Sequence, residues 1–203
     1  MSYSNLVRGG GLAGMLGGLL WVLFPLGELS EVDSVLTPGG SLAYYALVYL
    51  LPQVLMLLGL ARLHALRSRS YGWLGKVGIV ISFVALALVL TGSAWDMTRI
   101  ASTGGGSTVG YLTLIFGFFL LTWGSGLLGL AMIVIPHDLP SYLGALLLSI
   151  AVPLGLLYAF AAWGAWDFRF WVGLTVPYGV AWALLGYALV SGRDAQPSAP
   201  TLL

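Results

Sequence analysis

The stretch GYLTLIFGFFLLTWGSGLLGLAMIVI, residues 110–135, decides the fold. It carries no charged side chain and exceeds the roughly 20 apolar residues that a helix needs to cross a bilayer. Working outward, it sits inside a charge-free run at 100–137, and five more such runs occupy 9–27, 34–61, 77–95, 139–166 and 170–192. The eight basic and seven acidic residues all fall between them. Backbone groups in hydrocarbon must be paired within the spanning structure, which leaves helices or closed barrels. Barrel strands are segments of about 10 residues that alternate apolar and polar. These runs are longer and continuously apolar, so the sequence predicts an all-α integral membrane protein, a bundle of six transmembrane helices.

Composition supports this reading. Charged residues are 7% of the chain and hydrophobic ones 59%, against about 25% charged in a soluble domain. A surface so poor in charge faces lipid. The net charge of +1, with basic residues scattered between runs, excludes a nucleic-acid surface. There is no cysteine, which removes thiolate metal sites, disulfides and cysteine nucleophiles. No metal or cofactor is expected. Arg8 followed by an apolar run has the outline of a signal peptide, but no small-x-small site follows it cleanly. The first helix is therefore expected to be retained.

Charge sets an orientation. Arg8, Arg62, Arg67, Arg69, Lys76 and Arg193 share one side, and only Arg99 and Arg169 the other. The positive-inside rule puts the first group, and with it both termini, in the cytoplasm. The expected helices are about 9–27, 40–63, 73–95, 110–135, 140–163 and 170–191. Together they form one domain over 1–192, followed by a disordered cytoplasmic tail over 193–203. Leu57-Leu58-Gly59-Leu60-Ala61, Leu127-Leu128-Gly129-Leu130-Ala131 and Leu184-Leu185-Gly186-Tyr187-Ala188 are similar strings on the even helices. They suggest three hairpin pseudo-repeats, although Leu, Gly and Ala are common enough in membranes to recur by chance.

Four groups of residues invite a functional reading. Gln53, after Pro52, is the most polar side chain near a midplane, with Thr122 and Ser125 at similar depth and Pro153 in helix five. Prolines disturb a helix and a buried amide needs a partner, so these residues could line a midplane cavity; the plainer alternative is an interhelical hydrogen bond. Trp95-Asp96 and Trp166-Asp167 end two runs on the outer side, with Arg99 and Arg169 close behind. They read as an outer vestibule or simply as interfacial anchors. Gly10, Gly14 and Gly18 form a small-residue face for packing within the bundle or against a partner subunit or second copy. Arg62, Arg67, Arg69 and Lys76 suit contact with anionic lipid.

Trp123-Gly124-Ser125-Gly126 resembles the Gly-x-Ser-Gly of rhomboid intramembrane proteases but lacks its first glycine. The only histidines, His64 and His137, lie in predicted loops, so Ser125 has no base to activate it. Size and span number resemble the substrate-capture subunits of energy-coupling vitamin transporters, in architecture alone and with no shared motif. The functional expectation is a protein of the cytoplasmic membrane that binds or transports a small apolar or amphipathic molecule. The alternatives are an accessory or scaffold subunit of a membrane complex and, behind it, a lipid-modifying enzyme using Asp96 or Asp167.

Overall fold

The computed structural model describes residues 3–29, 43–44, 46–67, 70, 72–103, 106–135, 141–161 and 168–191. These residues are helical almost throughout, with no strand among them. We label the helices α1 (Tyr3–Leu29), α2 (Leu51–Arg67, entered through a π-helical turn at Ala46–Leu50), α3 (Gly72–Thr103), α4 (Thr108–Val134), α5 (Ser141–Ala161) and α6 (Phe168–Ser191). Among the described residues, three segments are long and apolar enough to cross a membrane: Ala46–Ala65, Gly72–Thr103 and Thr108–Val134. Shorter apolar helical segments cover Gly9–Leu23, Leu143–Pro153 and Val176–Ser191. This is a membrane protein. The expected tail at 193–203 lies outside the described residues.

Local chemistry explains the ends and irregularities. Proline lacks an N–H and clashes with the carbonyl four residues back. In α2 the wider π turn directly precedes Pro52, where it loosens the ladder that the ring would otherwise strain. Gly72 opens α3 at φ 57°, a left-handed conformation that glycine adopts without penalty. Two turns past residue 95, α3 is still helical and ends only at Thr103. Ser107 caps α4, its hydroxyl accepting from Gly110 N at 3.2 Å, and Ile135 closes the helix by donating to Ala131 O at 3.0 Å.

The helices form a ring in chain order, closed by α1 against α6. The hairpins within it are not packed alike. Among the described residues, α3 lies closely along α4 and α1 along α6, whereas α2 meets α3, and α5 meets α6, over little surface. The close pairs follow from glycine. Gly78, Ala85 and Gly92 recur every seven residues on α3 and face Gly124, Gly117 and Gly110, which recur every seven on antiparallel α4. A seven-residue period keeps one face of a helix on its partner along its length. A Cβ added at Gly117 would stand 2.8 Å from Val89 N, and one at Gly92 2.6 Å from Leu114 N. The two backbones touch, which is how packing holds helices together when lipid removes the hydrophobic drive.

Gly11 and Gly18 repeat the device on α1 against Gly186 and Gly179 on α6. There a Cβ at Gly186 would lie 2.8 Å from Gly11 O, and one at Gly179 2.7 Å from Gly18 O. Side chains fill the middle of the ring. Trp21 of α1 meets Phe118 of α4 edge-on at 5.4 Å, and Tyr178 of α6 at 6.2 Å. Met56, Leu60, Leu86, Leu128 and Leu147 are fully buried around them.

Candidate functional site, a half-open groove between α4 and α5

The residues expected to line one midplane cavity do not gather around one. Gln53 is 2% exposed, and its amide donates to Ser93 Oγ of α3 at 3.3 Å. That is the interhelical bond of the plainer reading. Its Oε1 has no partner. Ser125 is fully buried and pairs instead with Tyr178 of α6, hydroxyl to hydroxyl at 2.5 Å. Tyr178 also reaches Leu121 O at 3.5 Å. Pro52 is buried, and its carbonyl faces α1 so closely that a Cβ at Gly17 would come within 2.9 Å of it. Pro153 corrects the cavity reading directly, because it is exposed on the outer face of α5 rather than turned inward.

Thr122 lines a groove. It lies at the middle of α4, whose 27 residues run from Thr108 to Val134. Its hydroxyl donates back to Phe119 O at 2.7 Å, as threonines in apolar helices commonly do. That bond uses the only hydrogen of the hydroxyl and leaves the oxygen as an acceptor. Beside it opens a groove of about 210 Å³ between α4 and α5, walled by Trp123, Gly126, Leu127 and Leu130 on one side and by Leu148, Ala151, Val152 and Gly155 on the other. The walls are almost wholly apolar.

Two glycines explain why the groove exists. A Cβ at Gly126 would meet Ala151 at 3.4 Å, an ordinary contact, and one at Gly155 would meet nothing closer than 3.5 Å. Elsewhere along α4 glycine admits a neighbouring backbone; here it leaves a gap. The gap is not featureless. The position of that added Gly155 Cβ is 3.5 Å from Thr122 Oγ1 and 3.8 Å from Trp123 Nε1, so two polar atoms converge over bare backbone. Phe119 braces the Trp123 indole edge-on at 6.2 Å.

The outer acids resolve differently. Asp96 accepts a short hydrogen bond from the Ser107 backbone N–H and stands beside Gly106 and Gly110. It caps the start of α4 from the neighbouring helix, where a carboxylate also complements the helix dipole. Because α3 continues past it, Asp96 is on a helix rather than at a free end. Trp95 and Arg99 are exposed. Trp166 and Asp167, with the side chains of Arg67, Arg69 and Arg169, lie outside the described residues, so no facing pair of acids is described.

The glycine face of α1 is occupied by its own chain. Gly10 lies under the Arg62 side chain and Gly14 against Gly59, both of α2, and Gly18 against Ala183 and Gly179 of α6. Lys76 is exposed, and Arg62 is half-buried with its stem over Gly10. Among the described residues no group of His, Cys, Asp or Glu is arranged to hold a metal.

Sequence reasoning passed over Gly155, Ser93 and Tyr178, and noticed Trp123 only as the residue that spoils a protease motif. The seven-residue glycine periods on α3 and α4 were a legible signal, since they could be counted from the sequence. Gly155 was not, because its meaning depends on which helix lies opposite. No known protein family, no curated protein and no solved structure matches this chain.

Proposed function

We propose that the chain is a six-span protein of the cytoplasmic membrane, with both termini cytoplasmic, that binds a small apolar or amphipathic molecule drawn sideways from the bilayer. The groove between α4 and α5 carries the reading. It opens on the outer surface of the bundle, its walls are apolar, and it is of the size that takes small organic molecules: a dry apolar cavity of about 150 Å³ is enough for benzene. Exposed Trp123 and Val152 flank it, and lipid is the medium that meets them. Transport across the membrane is an extension of the same reading.

The scaffold alternative drew on Gly10, Gly14 and Gly18. These sit against α2 and α6 of the same chain and lend it no support. The enzyme alternative drew on Asp96 or Asp167; Asp96 caps a helix instead, and Asp167 lies outside the described residues.

Native mass spectrometry of protein extracted from its own membranes tests the binding. A small molecule retained by the wild type and lost in Gly155→Leu supports it, since leucine fills the groove. No retained molecule in either, or equal retention in both, removes the groove from the account. Orientation is tested separately. The chain has no cysteine, so Ser70→Cys and Ser102→Cys each introduce a single label site. The reading requires Ser70→Cys to react from the cytoplasm and Ser102→Cys from outside. Labelling of both from one side overturns the topology.

A further inference from the structure

Resting on the groove reading, the inference concerns what kind of molecule the groove selects. We infer that its ligand is a small uncharged molecule bearing a hydroxyl group, on the scale of a substituted benzene ring or a medium-chain alcohol, with that hydroxyl seated over Gly155 between Thr122 and Trp123.

Three observations carry this. The first is hydrogen-bond complementarity. The Trp123 indole offers a donor, its Nε1 3.8 Å from where an added Gly155 Cβ would stand, and Thr122 offers only acceptor capacity because its hydrogen goes to Phe119 O. A hydroxyl is the simplest group that accepts from the one and donates to the other. A ketone or ether meets only Trp123, and a hydrocarbon meets neither. Both protein atoms lie within 3.8 Å of where an added Gly155 Cβ would stand, so donor and acceptor face the same patch of bare backbone.

The second is depth and charge. Thr122 and Trp123 sit at the middle of α4, far from the headgroup layers that bound a hydrocarbon core about 30 Å thick. No charged side chain lines the groove. An ion there would be desolvated without a counter-ion, so phosphorylated headgroups, carboxylates and amines are excluded as the seated group. The third is size. A groove of about 210 Å³ exceeds the roughly 150 Å³ that holds benzene by room for a few more non-hydrogen atoms. It is too small to enclose a whole lipid.

Photolabelling tests this on full-length protein in nanodiscs. The probes are a diazirine-bearing octanol and the matching diazirine-bearing octane, with adducts mapped by peptide mass spectrometry. In the wild type the alcohol should label Leu148, Val152 and their neighbours roughly tenfold more than the alkane at equal membrane concentration, the effect of one to two net hydrogen bonds. The double variant Thr122→Val, Trp123→Phe should lower alcohol labelling to the alkane's level while leaving alkane labelling in place. Gly155→Leu should abolish both. Equal labelling by the two probes in the wild type overturns the hydroxyl inference and leaves the groove reading standing. A preference that survives the double variant overturns the assignment to Thr122 and Trp123. Failure of both probes to label the groove in the wild type overturns both readings.

Discussion

Helix α4 presents two faces built from the same small residue with opposite results. On one face Gly110, Gly117 and Gly124 let α3 in until a single added methyl group would strike backbone: 3.0 Å from Asp96 N at Gly110 and 2.8 Å from Val89 N at Gly117. On the face toward α5, Gly126 and, across the gap, Gly155 leave ordinary van der Waals distances and a groove. The difference lies in period and in partner. The first three recur every seven residues against a matching row, Gly78, Ala85 and Gly92, so the close approach is sustained along the helix. On the α5 side Gly129 and Gly144 meet, with an added Cβ at Gly144 only 2.6 Å from Gly129 O. Beyond that contact the helices leave space between them. Glycine in a membrane helix is thus a closing device only where its partner answers it.

Four substitutions test this picture. Gly117→Leu has the largest expected effect. It drives four heavy atoms into the α3 backbone, and overpacking of this kind costs about 3 kcal/mol or more when backbone must move. We expect loss of monodisperse protein on size exclusion, or a steep fall in thermal midpoint. A variant that folds with an unchanged midpoint would mean the α3–α4 contact is looser than described.

Gly155→Leu, the same chemical change across the groove, should leave the midpoint little changed, because an added Cβ meets nothing closer than 3.5 Å and the side chain extends into the groove. Its effect falls on binding. Asp96→Ala removes the carboxylate that accepts from Ser107 N; losing a helix cap costs about 0.5–2 kcal/mol. Hydrogen exchange at the start of α4 should rise while exchange around Gly124 does not. Uniform exchange along α4 would show that the cap does not act locally.

Tyr178→Phe removes a buried hydroxyl pair with Ser125 and should cost little. Interhelical hydrogen bonds in membranes average about 0.6 kcal/mol and reach about 1.7. A loss well beyond that range would show that Tyr178 holds the ring together, a role the account gives to glycine.

The difference between the faces also marks what the sequence made legible. Charge-free runs revealed helices because absence of charge over a long stretch is a one-dimensional property with one physical cause. The polar residues Gln53, Thr122 and Ser125 were legible as anomalies, but their partners were not. Gln53 found Ser93 on the next helix and Ser125 found Tyr178 two helices away, and nothing local encodes which faces meet. Asp96 looked like an interfacial acid because Trp95 precedes it. Its capping role appears only once α4 is seen to begin beside it. Gly155 sits in an apolar run where glycine is common, and only the bare backbone opposite Thr122 and Trp123 distinguishes it.

The central claim is that Gly155 opens a ligand site while Gly117 holds the fold. Its most direct test is thermal unfolding of the wild type and Gly155→Leu in one detergent, titrated with octanol. A ligand that binds only the folded state raises stability with its concentration. The account predicts equal midpoints without octanol, a rise in the wild type as octanol is added, and no rise in Gly155→Leu beyond the common effect of the alcohol on the micelle. Identical responses in the two proteins, or a Gly155→Leu variant already unfolded without octanol, would contradict it.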